Sequence, residues 1–251
     1  MNEWFMPFIF FAIALFYSSI GFGGGSSYLA LLTLLLEDFY EIRSIALLLN
    51  ILVVSIGTWI SIRKKVFDWK LFWPFLLFSV PMAFVGAQLE LSANLFFLLL
   101  GSSLILSSLF LVWQSMNHEP EPTEFSVGKR GAIGGVIGYL SGLVGIGGGI
   151  FLSPILNVSG WTNPRKVASL ASVFILVNSV SGLVGLIIAG TFQVQVGKSW
   201  LLFFAVILGG MIGSYLSNER LNANLIRRLT AILVAYVGVR LILIHGFQMT
   251  L

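Results

Sequence analysis

The sequence predicts an all-α polytopic membrane protein built from two homologous halves. Three observations indicate this fold class. First, 57% of the 251 residues are hydrophobic and only 10% are charged, whereas soluble domains carry about 25% charged residues. Second, the apolar residues form long runs rather than the short alternating segments of a membrane β-barrel. Third, both the order of run lengths and a glycine motif recur in the second half.

The apolar runs of each half follow the order medium, short, long, long, long. In the first half they cover residues 4–20, 26–36, 44–62, 71–89 and 94–113, and in the second half 131–144, 150–158, 167–189, 199–217 and 225–244. A membrane-spanning helix needs about 20 residues, with a lower limit near 17. The runs 26–36 and 150–158 are therefore too short to be ordinary spans. We predict a first repeat at 1–113, a polar linker at 114–129 and a second repeat at 130–251.

The short runs leave two membrane topologies open. If each completes one broken span with the run before it, each half crosses the membrane four times and the repeats are parallel. If each instead reverses direction at the glycines, each half makes an odd net number of crossings and the repeats are inverted. The parallel topology divides the basic residues seven to six between the two sides, with Arg240 inside the last span. The inverted topology divides them eleven to two.

The positive-inside rule favours the inverted topology, because cytoplasmic loops carry the excess of Lys and Arg. Each half then contains one Gly-broken or short re-entrant helix pair plus three full spans. The sequence thus predicts a multi-pass protein of the cell membrane with a cytoplasmic linker and both termini outside. The eleven cytoplasmic residues are Arg63, Lys64, Lys65, Lys70, Lys129, Arg130, Arg165, Lys166, Arg220, Arg227 and Arg228. Because these basic residues lie at the ends of the apolar runs, the net charge of +4 indicates orientation and not nucleic-acid binding.

A glycine motif interrupts both halves at the same place. The chain has GFGGGSSYLALL at residues 21–32 and GIGGGIFLSPIL at residues 145–156. Paired glycine-interrupted segments point to the binding site of a transporter. The helix after each motif begins with unpaired N–H groups and the positive end of its dipole, which together favour an anion. The predicted substrate-binding residues at these motifs are Gly23, Gly24, Gly25, Ser26, Ser27, Gly147, Gly148, Gly149 and Ile150.

The alternative interpretation is that these glycines only allow close helix packing, as small residues do in membranes. Under the binding interpretation, valine at Gly24 or Gly148 should abolish transport. Gly185 and Gly238 lie in ordinary spans and should tolerate substitution far better.

With these motifs, the chain resembles the sulfite exporter TauE/SafE family. The resemblance rests on GIGGGIFLSPIL followed by NPRKVASLASVFILVNSVSG, with GFGGGSSYLALL as the matching first half, and it covers nearly the whole chain. It implies a membrane transporter for small anions such as sulfite or organosulfonates. The first half departs from the pattern, because Ala30 stands where Pro154 stands in the second copy.

Polar residues inside the spans supply the remaining site candidates. Aligning EIRSIA with NPRKVA places Arg43 opposite Arg165 and Asn50 opposite Ser172. We predict Asn50, Ser172 and Asn178 as substrate contacts, since a buried amide or hydroxyl in a membrane needs a partner. Hydrogen bonds between helices are the alternative. Arg43 and Arg165 are each interpreted first as interfacial anchors, and the alternative is that each attracts an anion at an entrance.

The sequence favours a secondary transporter or facilitator that moves a small anion by alternating access around the two glycine motifs. An anion channel and a structural membrane module without transport activity are the alternatives. An intramembrane enzyme is disfavoured, because no nucleophile–base pair or metal-ligand set lies within the apolar runs. The sequence has no Cys, and we predict neither a cofactor nor a metal. The expected partners are the small anionic substrate and the lipid bilayer.

Overall fold

The computed structural model describes residues 5–19, 23–116, 123–194, 196–216 and 223–247, and all regular structure within them is helical. Gly21, Phe22 and residues 117–122 of the predicted linker lie outside this part of the chain. The helices of the first half are α1 (Phe5–Ser19), α2 (Gly25–Leu35), α3 (Phe39–Arg63), α4 (Trp69–Gln88) and α5 (Ala93–Met116). Those of the second half are α6 (Val127–Val144), α7 (Gly149–Val158), α8 (Pro164–Ile188), α9 (Val196–Leu216) and α10 (Ala223–Phe247).

Each predicted apolar run corresponds to one helix, which confirms the all-α polytopic fold. Within the described residues, α3, α4, α5, α8 and α10 are long and apolar enough to cross a membrane. The two helices that follow the glycine motifs have only 11 and 10 residues. The predicted span 199–217 appears as α9, whose Trp200–Leu216 stretch is a shorter apolar helix.

Side-chain caps start α3 and α8 before the apolar runs themselves begin. Asp38 accepts a hydrogen bond from the Tyr40 backbone N–H (2.8 Å), and Asn163 accepts one from the Arg165 N–H (2.8 Å). Such caps satisfy N–H groups that have no partner within the helix. Helix α3 therefore includes Arg43, which the sequence placed just outside the span.

The closest helix packing joins the two halves. Glycines of α6 lie directly on the backbone of α4, so that a Cβ at Gly134, Gly138 or Gly142 would meet the carbonyl oxygens of Phe75, Ser79 or Ala83 at 2.3, 2.4 and 2.0 Å. Gly209 and Gly213 of α9 meet Phe11 and Leu15 of α1 in the same way, at 2.3 and 2.2 Å. Residue numbers rise together in both helices of each pair, so each pair is parallel. Small residues at such spacing allow this close approach in membranes.

Helices that hold the same position in the two halves pack in the opposite sense. Between α5 and α10, Gly246 lies near Leu98, whereas Gly238 lies near Gly101 and Ile105. Between α3 and α8, Gly57 lies near Ser172 and Gly182 lies near Leu47. In both pairs the residue numbers run in opposite directions, so α5 is antiparallel to α10 and α3 is antiparallel to α8.

These contacts correct the residue pairing that the sequence suggested. If the two halves are equivalent, each contact between α3 and α8 should have a counterpart in which every residue is replaced by its equivalent in the other half. The Gly57–Ser172 and Gly182–Leu47 contacts are such counterparts only if Leu47 corresponds to Ser172 and Gly57 to Gly182. On this register the counterpart of Asn50 is Ile175, not Ser172, and the counterpart of Arg43 is Ala168, not Arg165. The error is a shift of three residues. Because a helix has 3.6 residues per turn, such a shift keeps most residues near the same face.

Polar contacts group the connections at the two ends of the bundle. Lys166 Nζ forms an ion pair with Asp68 Oδ2 at 3.2 Å, and Arg130 donates to the Leu71 carbonyl at 2.9 Å. These contacts bring the α3–α4 connection, the start of α6 and the α7–α8 connection together. At the other end, the Gln193 N–H donates to Ser44 Oγ at 3.1 Å and joins the end of α8 to the start of α3.

Candidate functional site

The first turn of helix α2 contacts α1 after the first glycine motif. The rings of Phe10 and Tyr28 are stacked with centroids 5.6 Å apart, and the Tyr17 and Ser27 hydroxyls are 2.6 Å apart. Phe10 lies near the middle of α1, so Tyr28 could not reach it if α2 continued in the same direction. The first turn of α2 therefore lies beside α1.

The helix after each motif begins from a glycine in the left-handed region. Gly24 caps α2 with φ 79°, and Gly148 caps α7 with φ 82°. Residues with a Cβ rarely adopt this conformation, which explains why glycine is needed at both positions. Neither cap supplies a side-chain hydrogen bond, and the first N–H groups of a helix have no intrahelical acceptor. Each motif therefore presents a helix N-terminus with backbone donors.

The two motifs touch one another in the interior. A Cβ at Gly25 would lie 2.4 Å from the carbonyl oxygen of Ile146 in the second motif. The side chain of Asn50, which is fully buried, donates from Nδ2 to the same oxygen at 3.1 Å. Asn50 on α3 thus bridges the motif of its own half to the motif of the other half.

The residues around Asn50 form two equivalent sets, one at the glycine motif of each half. A Cβ at Gly23 would meet Val54, Asn50 and Ile175, and one at Gly147 would meet Ser179, Asn50 and Ile175. Likewise Gly25 faces Asn50 and Gly149 faces Ile175. We call this set the central glycine contact, and it consists of Gly23, Gly25, Gly147, Gly149, Asn50 and Ile175.

Several buried polar atoms at and around the central glycine contact have no hydrogen-bond partner among the described residues. They are Asn50 Oδ1, Ser26 Oγ, Tyr28 Oη, Ser141 Oγ and Ser179 Oγ. Ser179 Oγ would lie 3.1 Å from a Cβ at Gly147, and Ser141 Cβ 3.4 Å from one at Gly148. Buried polar groups are normally paired with protein, water or ligand. The hydroxyl and amide groups in this part of the interior could therefore form hydrogen bonds with a small polar ligand.

Most of the predicted site residues come together here. Gly23, Gly24, Gly25, Ser26, Ser27, Gly147, Gly148, Gly149 and Ile150 are all buried at the two motifs, with Asn50 between them. Ser172 does not join them: its hydroxyl donates to the Ala168 carbonyl at 3.1 Å, and it lies beside Gly57, two turns of α3 from Asn50. Asn178 is fully buried, and neither amide atom has a hydrogen-bond partner in the part of the chain that the structure describes. It precedes Ser179 by one residue and so points about 100° away from it around α8.

Sequence reasoning did not single out Ile175 and Ser179 as members of this set. Ile175 carries no polar signal, and its importance appears only because it occupies the place of Asn50 in the other half. Ser179 could have been selected as the neighbour of Asn178, but nothing in the residue pattern favours one of the two. The contact of Ser179 with Gly147 decides between them.

The interpretation of Arg43 as an interfacial anchor is wrong. Only 1% of its surface is exposed, and its Nη2 donates to the carbonyl oxygens of Ala87 at 3.2 Å and Gly142 at 2.9 Å. Both carbonyls lie in the last turn of a helix, α4 and α6 respectively, where the helix dipole is negative. Arg165, by contrast, is exposed at the start of α8.

Comparisons with known proteins add an independent line of evidence. A family model described as "Sulfite exporter TauE/SafE" matches residues 6–241. The "Probable membrane transporter protein y4hK" of Sinorhizobium fredii is 28% identical over 237 residues, which cover 93% of this chain and 95% of that protein. The "Probable membrane transporter protein YunE" of Bacillus subtilis is 27% identical over 257 residues, covering 90% and 92%. No solved structure matches the chain.

Proposed function

Because the chain belongs to the sulfite exporter TauE/SafE family of membrane transporters, we propose that it moves a small anion, such as sulfite or an organosulfonate, across the cell membrane. The observation that carries this proposal is the meeting of two glycine-capped helix N-termini around the buried Asn50. Backbone N–H groups and the positive ends of helix dipoles favour negative charge without any basic side chain.

The chemistry of the central glycine contact supports an anionic ligand. Its six residues include no acidic side chain, and the hydroxyls around it can act as donors. We propose Gly23, Gly24, Gly25, Ser26, Ser27, Asn50, Gly147, Gly148, Gly149 and Ile150 as the substrate-binding residues. Ser172 and Asn178 stay predictions as contacts elsewhere on the path.

We further propose that the two halves are inverted repeats that alternate access to this site. The antiparallel packing of α3 on α8 and of α5 on α10 supports inversion, because parallel repeats would orient counterpart helices the same way. The ion pair between Lys166 and Asp68 also supports it, since the parallel topology puts these residues on opposite sides of the membrane. Inverted repeats that meet at a substrate site are common among secondary transporters.

Labelling of single cysteines tests the proposed orientation directly, because the chain has no native Cys. Glu37→Cys should react with a membrane-impermeant maleimide in intact cells, whereas Lys64→Cys should react only after lysis. Both residues are exposed, and they lie just beyond the two opposite ends of α3. Labelling of Lys64→Cys in intact cells would contradict the cytoplasmic placement of the basic loops.

Transport in proteoliposomes tests the substrate class and separates a carrier from a channel. Uptake of labelled sulfite should saturate, and unlabelled sulfite or methanesulfonate inside the vesicles should accelerate it by exchange. Neutral solutes and cations should not compete. Flux without saturation or exchange would indicate an anion channel, and competition by cations alone would refute the anionic substrate. Equal flux with empty liposomes would indicate a structural module.

A further inference from the structure

Arg43 stands out as a charged side chain in the interior of the helix bundle. Its exposed surface is 1%, and it lies two turns of α3 before Asn50, which is about 10 Å along the helix axis. A buried charge is costly unless it is paired or hydrogen-bonded. The surroundings of the guanidinium therefore have to explain why it is tolerated there.

The protein holds this guanidinium but does not neutralise it. Among the described residues its two hydrogen bonds go to backbone carbonyls, those of Ala87 and Gly142, and not to a carboxylate. The ring of Phe96, with its centroid 6.0 Å from Cζ, adds a weak cation–π contact. Nε and Nη1 are buried and have no hydrogen-bond partner in the described part of the chain. The side chain thus keeps its charge and free donors on two of its three nitrogens.

Arg43 is also adjacent to the second glycine motif. A Cβ at Gly145, the first glycine of that motif, would lie 3.4 Å from Arg43 Cα and 3.5 Å from its Cβ and Cγ. Arg43 also binds the Gly142 carbonyl, which lies in the last turn of α6 and three residues before Gly145. The root of the Arg43 side chain therefore lies against the start of the second glycine motif.

A purely structural role as a helix cap does not explain this arrangement. The counterpart of the α4–α6 pair is α9–α1, where a Cβ at Gly213 would overlap the Leu15 carbonyl oxygen just as one at Gly86 would overlap that of Tyr139. In that half the counterpart of Arg43 is Ala168, which carries no charge. The same helix packing is thus reached without an arginine, so the packing itself does not require one.

We propose that Arg43 is an anion-binding residue, whose Nε and Nη1 receive a small oxyanion beside Gly145 on its way between the outer side and the central glycine contact. The inference rests on the proposed anion transport and deepens it: one cationic side chain, supplied by the first half alone, selects the charge of the substrate. Arginine suits this role, because its planar guanidinium keeps its charge when buried and matches the oxygens of an oxyanion.

Binding of sulfite to the purified protein in detergent tests the inference, with the dissociation constant taken per folded molecule. Arg43→Gln should weaken binding by about tenfold or more, as expected for loss of a hydrogen bond to a charged group. Arg43→Lys should weaken it by roughly threefold to tenfold, since the charge stays but the Nε donor is lost. Arg165→Gln, at an exposed position, should change the constant less than about twofold and serves as the matched control.

The outcomes separate this inference from the proposed function. If the unsubstituted protein binds none of sulfite, methanesulfonate and acetate, the anion-transport proposal itself fails. If it binds sulfite but Arg43→Gln yields less folded protein with an unchanged dissociation constant, Arg43 is only a structural cap and the inference is overturned. Should Arg43→Gln not fold at all, Arg43→Lys decides, and unchanged sulfite affinity in that variant overturns the inference as well.

Discussion

The two halves present the same backbone at the centre of the molecule but different side chains. In the first half Gly25 packs on Asn50, whose amide binds the Ile146 carbonyl. In the second half Gly149 packs on Ile175, which fills the equivalent space with carbon atoms. The duplication therefore repeats the geometry of a helix N-terminus, while only one copy keeps the polar side chain next to it.

From this difference we expect the two halves to contribute differently to ligand binding. Two facing helix N-termini set a positive potential from both sides, and that part of the site needs no particular side chain. We expect the amide of Asn50 to contribute more to recognition than its apolar counterpart Ile175. The predictions below test that asymmetry, beginning with the changes that should do most damage.

Alanine at Gly25 and at its counterpart Gly149 should give the largest and most unequal effects on transport. At Gly25 the added methyl would lie 2.4 Å from a backbone carbonyl, which cannot move aside easily. At Gly149 it would meet the Ile175 side chain at 2.3 Å, which has other rotamers. Overpacking typically costs about 1–3 kcal/mol, so Gly25→Ala should lower sulfite uptake per folded molecule by roughly tenfold or more and Gly149→Ala by less. Equal losses in proteoliposome assays would contradict the asymmetry.

Charge at the bridging amide should produce the next largest effect. Asn50→Asp keeps the shape but replaces the donor to the Ile146 carbonyl with a negative group that repels both this oxygen and an anionic substrate. We expect the Michaelis constant for sulfite to rise by roughly tenfold, which is about 1.4 kcal/mol. Ile175→Asn places a second amide in the equivalent position and should alter this constant much less. A larger effect of Ile175→Asn would mean that the apolar side controls recognition.

Exchanging the next pair of counterparts should have a moderate effect. Ser179 and Val54 hold equivalent places beside Gly147 and Gly23. Ser179→Val removes a buried hydroxyl that has no partner within the described residues. It should weaken sulfite binding by about threefold, the value of a modest hydrogen bond. Val54→Ser adds a hydroxyl beside the first motif. If the double exchange restores the affinity of the unsubstituted protein, the hydroxyl acts equally from either half.

Glycines away from the centre should matter least. A Cβ at Gly57 would lie 3.7 Å from Ser172 Oγ, and one at Gly182 would lie 3.4 Å from Leu47, both without overlap. Gly57→Ala and Gly182→Ala should each retain uptake within about twofold, since alanine also favours the helix by up to ~1 kcal/mol. Gly185 and Gly238 are poor controls, contrary to the expectation from sequence. A Cβ at these positions would approach Phe84 and Gly101 carbonyl oxygens to 2.9 Å.

The helices were predictable because hydrophobic run length and glycine breaks are local signals. The predicted short runs 26–36 and 150–158 became α2 and α7 within one residue at every boundary. The motif glycines and Asn50 were also found, since a triple glycine and an amide are both unusual inside an apolar run. The two motifs meet in the structure, while their role in binding stays a prediction.

The register between α3 and α8 could not be read from sequence. The similarity of EIRSIA and NPRKVA matches Arg43 to Arg165, yet the contacts between α3 and α8 make Ala168 the counterpart of Arg43. The burial of Arg43 was missed for a related reason: the run of apolar residues begins after it, and only the Asp38 cap extends the helix to include it. The close packing of α6 on α4 did have a signal, the spacing of Gly134, Gly138 and Gly142, which is a small-residue pattern of membrane helices.

The contact of α6 with α4 has a consequence for how the chain is made. The glycine face of α6 fits the backbone of α4, and the corresponding face of α9 fits that of α1. During synthesis, α1 and α4 enter the bilayer long before their partners have left the ribosome, so their contact surfaces remain exposed to lipid until the second half arrives. Neither half can complete its own packing, and assembly is therefore a late step that waits for α9.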